Sequence, residues 1–96
     1  MALSLVVFDD RELTEESNIG INYRFGKAVR RRRRELDLSQ EELAERAELH
    51  RTYISSVERG RMNPSLENVE KIAKALAIPL SALFANYGIE ASEQSE

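Results

Sequence analysis

The 96-residue chain has no cysteine, a single histidine and two prolines, and no apolar run exceeds four residues, Leu5–Phe8 among them. Without thiols there is no disulfide and no thiolate metal site, and His50 alone cannot make a histidine cluster, so no metal is expected. A membrane span needs roughly 18 apolar residues, and the first residues lack the basic region of a signal peptide, so the expectation is a soluble cytoplasmic protein with no membrane partner. The catalytic repertoire is equally thin. There is no thiol nucleophile, no glycine-rich phosphate loop and no histidine–carboxylate constellation, so neither an enzyme nor a cofactor is expected, and no small-molecule ligand is evident.

What is present is charge, and it is segregated. The net charge is −3. Residues 1–20 carry −4, residues 21–64 carry +4 and residues 65–96 carry −3, so the basic side chains sit in the middle of the chain. A local basic patch attracts phosphate whatever the average charge. A chain of this length supports one small core, and its modest burial makes an oligomer a natural supplement.

Periodicity places five helices and no sheet. Asn22 is positioned as the N-cap of a helix running to about Asp37, with Phe25, Val29, Arg32, Arg33 and Leu36 on one face and Lys27, Arg30, Arg31 and Arg34 on the other. A buried guanidinium needs an acidic partner, so Arg33 demands one, while Arg32 can lay its stem on the core and turn its head to water. Ser39 and Glu42 form the S-x-x-E capping box of a second helix with Leu43, Ala44 and Ala47 inward. His50 stands at the N-cap position of a third helix, Arg51–Arg59, which Gly60 ends. Leu66, Val69, Ile72, Ala73 and Leu76 define the inward face of a fourth, and Pro79 precedes a last short helix, Leu80–Tyr87. Residues 1–21 read as an extension or arm, either loose or containing a short strand at Leu3–Phe8, and residues 88–96 as a disordered acidic tail. The domain proper is then 22–87.

The run Arg30–Arg34 has three readings: a linear localisation or polybasic membrane signal, a solvated helix face, or a flank that contacts phosphate. Its place within an amphipathic helix weighs against the first.

Gln40, Leu43, Ala44, Leu49, Ile54, Val57 and Glu58-Arg59-Gly60, followed by Asn63-Pro64-Ser65-Leu66, resemble the helix-turn-helix domain of the Cro and phage-repressor type, the XRE family. The resemblance spans residues 24–84 and implies an all-α, five-helix, lambda-repressor-like DNA-binding domain. Among small stand-alone members, restriction–modification controller proteins are the most similar, sharing the character of the Arg51-Thr52-Tyr53-Ile54-Ser55 string. In that family the second helix of the motif enters the major groove of double-stranded DNA. Carried over, Arg51, Thr52, Ser55 and Ser56 contact bases, Arg51 best suited to guanine. Gln40, Arg59, Arg61 and Asn63, with Arg30 and Arg31, contact phosphate; Tyr53 divides evenly between phosphate contact and packing. The resemblance also supplies the partner of Arg33, which is Glu58, as a structural ion pair.

Two residues depart from the family pattern. Glu48 occupies the turn position where glycine is frequent, and a left-handed backbone there costs a non-glycine roughly 1 kcal/mol. Arg32 replaces a usually apolar residue. The function implied is a sequence-specific transcriptional regulator, bacterial or phage-encoded and nucleoid-associated when bound. It acts as a homodimer through Leu80, Leu83, Phe84 and Tyr87 on a roughly palindromic operator. The alternative is a protein-interaction adaptor or antitoxin that uses the same helical domain to bind a protein.

Overall fold

Apolar side chains at three- and four-residue steps need a common interior, and the helices that carry them here enclose one. The computed structural model describes residues 20–89, in which α1 spans Ile21–Glu35, α2 Gln40–Ala47, α3 Arg51–Glu58, α4 Leu66–Ala75 and α5 Leu80–Asn86. The described residues contain five helices and no strand, as the periodicity predicts. The strand reading for Leu3–Phe8 and the arm reading for residues before Gly20 lie outside the described residues, as does the tail reading from Glu90 onward.

The core is built from Phe25, Ala28 and Val29 of α1, Leu43, Ala44 and Ala47 of α2, Ile54 and Val57 of α3, and Val69, Ile72, Ala73 and Ala75 of α4, closed by Leu76, Leu83 and Ile89. Small residues let the elements approach. At Gly26 an added Cβ would lie 2.2 Å from the Val57 carbonyl oxygen, so α1 and α3 pack backbone to backbone there.

α1 begins two residues earlier than the asparagine suggests. Gly20, not Asn22, is its N-cap, and Asn22 lies within the first turn. At α2 the capping box forms as read: Ser39 Oγ accepts from the Glu42 amide at 2.9 Å, and Glu42 Oε1 accepts from the Ser39 amide at 2.8 Å. His50 occupies the N-cap position of α3, but its side chain makes no capping hydrogen bond.

α1 to α4 all end on one device. A residue in the left-handed region is followed by an amide that bonds back to a carbonyl five positions earlier: Asp37 with Leu38 to Arg33, Glu48 with Leu49 to Ala44, Gly60 with Arg61 to Ser56, and Ala77 with Ile78 to Ala73. Glu48 therefore takes the conformation that the family's glycine suits, at φ 60°.

Four expectations are corrected. Leu66, expected inward, is 85% exposed because it opens α4 beyond the edge of the core. Leu83, expected at a dimer surface, is wholly buried within the protomer. Ile89, assigned to a disordered tail, is likewise fully buried, and its carbonyl accepts from Arg24 Nε at 2.8 Å. Arg32 does not turn its head to water: Nε donates to the Leu76 carbonyl at 3.0 Å and Nη2 to that of Ala77 at 3.2 Å, satisfying acceptors that α4 leaves open at its end.

Candidate nucleic-acid interface

α2 and α3 meet across the left-handed turn at Glu48 and the half-buried Leu49. Ile54 and Val57 anchor the inner side of α3, which leaves its leading edge to solvent. Arg51 and Thr52 are exposed there, and Ser55 and Ser56 are half-buried one turn further on. With no side chain capping it, the first turn of α3 also presents unpaired backbone amides, a polarity suited to anions.

Glu58 stands behind this edge. It is 5% exposed, and three donors reach its carboxylate: Arg33 Nε at 2.7 Å to Oε2, Arg33 Nη2 at 3.0 Å to Oε1, and Gln40 Nε2 at 3.0 Å to Oε1. Arg33 Nη1 also donates to the Leu38 carbonyl at 2.8 Å. The hydrogen bond to Glu58 raises the guanidinium's pKa above its ordinary value; burial pulls the other way, and the carboxylate's charge adds to the rise. The pair therefore stays ionised on the arginine side at any working pH. One carboxylate ties together α1, the start of α2 and the end of α3.

A shallow groove beside this pair runs between α1 and α3, with Arg30, Arg34, Gln40, Ser55 and Arg59 along it. It brings together residues that are far apart in sequence and were read separately as base or phosphate contacts. Arg34 joins them although the sequence reading left it out; its place on the polar face of α1 was the available signal. Arg31 does not line this groove: its guanidinium lies over the Tyr87 ring, 5.7 Å from the centroid. Arg61 and Asn63 are exposed in the connection to α4.

Tyr53 is half-buried and its hydroxyl accepts from Asn68 Nδ2 at 2.9 Å, so α3 is pinned to α4. Nothing in the spacing marks Asn68, because the bond joins helices across a turn. The described residues hold two ion pairs, Arg33–Glu58 and Arg32–Glu35, and Arg51 is in neither although Glu41 and Glu45 lie in the same depression. Among the described residues no group of histidine and carboxylate side chains is placed to hold a metal, and no helix is long and apolar enough to cross a membrane.

Two short helices crossed over a tight turn, the second with a polar leading edge, are a helix-turn-helix module. The family model described as Helix-turn-helix matches residues 29–83, and the chain belongs to that family of DNA-binding transcriptional regulators. It is 49% identical over 67 residues to control protein C.MunI of a Mycoplasma species, a match covering 69% of this chain and 90% of that one. It is 54% identical over 55 residues to control protein C.BamHI of Bacillus amyloliquefaciens, covering 56% and 68% respectively. The crystal structure of the restriction–modification controller protein C.AhdI from Aeromonas hydrophila superposes with a TM-score of 0.62 at 46% identity, over 64% of this chain and 92% of that one.

Proposed function

We propose that the chain is a sequence-specific regulator that binds a roughly palindromic operator as a homodimer, with α3 in the major groove. The observation that carries this reading is the leading edge of α3. Arg51 and Thr52 are exposed and unpaired in front of a core-anchored helix, and the groove with Arg30, Arg34, Gln40 and Arg59 flanks them. A guanidinium there can bond guanine O6 and N7 together, and the flanking cations supply the sequence-independent attraction. Similarity to named control proteins makes a restriction–modification locus the candidate regulated unit.

For the dimer, the structure favours a surface shifted from the one read in the sequence. Phe84 packs toward α1, its ring 6.2 Å from that of Phe25, and the Tyr87 hydroxyl donates to Glu35 at 2.5 Å, so both are engaged within the protomer. Leu80 remains. It lines a shallow apolar groove with Leu66, Ala73, Ile78 and Pro79, and Leu66 is the most exposed large apolar side chain described. A two-fold axis at that groove is the proposed interface, setting two α3 helices ~34 Å apart.

Selection of bound fragments from randomised DNA tests the reading directly, by yielding a half-site and its spacing. Arg51→Ala is expected to lower affinity for the selected site by roughly ten- to a hundredfold while relaxing preference at one base pair. Arg30→Ala is expected instead to weaken all sequences alike and to flatten the salt slope by about one. If Arg51→Ala leaves both affinity and preference unchanged, α3 does not read bases and the adaptor reading takes its place.

A further inference from the structure

The basic side chains of α1 line a second groove besides the one next to α3. Arg24, Lys27, Arg30, Arg31 and Arg34 line a groove of about 990 Å³, with Tyr23, Tyr87 and Gly88 as its apolar walls and Glu35 as its one acid. Two of the cations lie over aromatic rings: Lys27 Nζ is 5.5 Å from the Tyr23 centroid and the Arg31 guanidinium 5.7 Å from that of Tyr87. Five like charges on neighbouring turns repel one another, and a polyanion laid along them relieves that repulsion.

This chain carries such a polyanion. Asp9–Glu16, DDRELTEE, has five acids and one arginine, and it is joined to α1 through Ser17–Gly20, directly at the N-terminal end of the groove. Reach matches the span. Glu16 is four residues before Gly20 and Asp9 eleven, so an extended chain carries their charges ~13 to ~36 Å from the helix start. Arg24 to Arg34 lie four to fourteen residues after Gly20, ~6 to ~21 Å along the helix. The other acidic segment, Glu90–Glu96, carries three acids against the five of Asp9–Glu16, and the described chain leads to it past Arg31 and Arg24, so it is the competing occupant that the test must separate.

We infer that this groove is the docking site of the chain's own acidic segment Asp9–Glu16, which competes there with DNA phosphates for Arg30 and Arg34. Those two arginines line both this groove and the one beside α3, so a carboxylate held on one side draws them away from a phosphate on the other. The competition rests on the DNA-binding reading above; the docking itself does not. Its effect falls on sequence-independent attraction, since Arg51 and Thr52 are not in the groove.

The test uses the full chain with Asp9, Asp10, Glu12, Glu15 and Glu16 changed to Asn or Gln. A second full-length variant has Glu90, Glu93 and Glu96 changed to Gln. Without DNA, NMR signals of Tyr23, Lys27, Arg31 and Arg34 are expected to move in the first variant and to stay in the second. With a random-sequence duplex at ~0.1 M salt, the first variant is expected to bind roughly tenfold tighter and to show a salt slope steeper by about two, the signature of two released contacts. Unmoved groove signals in the first variant overturn the docking, and so does movement in the second variant alone, which would assign the groove to the trailing segment. If the duplex itself moves Tyr23 and Lys27 while the first variant does not, the groove is a phosphate site and the inference fails. Moved groove signals with unchanged duplex affinity overturn the competition. A chain with no affinity for any duplex refutes the DNA-binding reading and leaves the docking result standing.

Discussion

Glu58 is the residue on which the most depends, because a carboxylate with 5% exposure is tolerable only while its donors are in place. Removing the guanidinium by Arg33→Ala leaves it with Gln40 alone. The expected loss is roughly 3 to 5 kcal/mol, the range for stripping one partner from a buried pair, read as a fall in the thermal or urea midpoint. An unchanged midpoint would show that the pair contributes nothing to folding. Arg33 and Glu58 were legible: an arginine on an apolar stripe demands an acid, and the resemblance identified which one. The bond from Gln40 was not, because a glutamine opening an exposed helix reads as a phosphate contact, and only the folded arrangement brings it over the carboxylate. A phosphate contact from Gln40 must then use its second amide hydrogen or its backbone. Gly26 was equally silent. A glycine inside a helical pattern signals nothing until the partner backbone is known to lie where its Cβ would be.

Among elements, the helix ends show where local cost has been accepted. Of the four left-handed caps on α1 to α4, one is glycine and three are Asp37, Glu48 and Ala77. Glu48→Gly relieves strain in the folded turn of roughly 1 kcal/mol, partly offset by the greater freedom of glycine in the unfolded chain. The expected result is a thermal midpoint higher by a few degrees with DNA affinity unchanged; a lowered midpoint would mean that the glutamate side chain holds the turn. A helix start is easy to place where it carries its own side-chain cap, as α2 does and α1 does not. Ser39 and Glu42 announce α2 by chemistry contained within four residues, whereas Arg32 closes the end of α4 from 44 positions away. Leu66 falls on the right period yet points to solvent, because periodicity identifies a face and not where the opposing surface stops.

For the whole molecule, the exposed Leu66 and its groove predict how two copies meet. Leu66→Glu places a charge in the proposed two-fold interface and is expected to weaken dimerisation at least roughly tenfold, measured by sedimentation, while the protomer's melting behaviour is kept. A variant that dimerises as tightly as the native chain would move the interface elsewhere. The Tyr53–Asn68 bond then carries a further consequence. Asn68 is two residues beyond Leu66 on α4, so the path from a two-fold axis at Leu66 to α3, the proposed reading helix, passes through one rigid turn and one hydrogen bond. Such a dimer would be a ruler with almost no slack. An operator with a single base pair inserted between its half-sites presents the second one rotated by ~34° and ~3.4 Å further away, out of reach of a molecule unable to stretch.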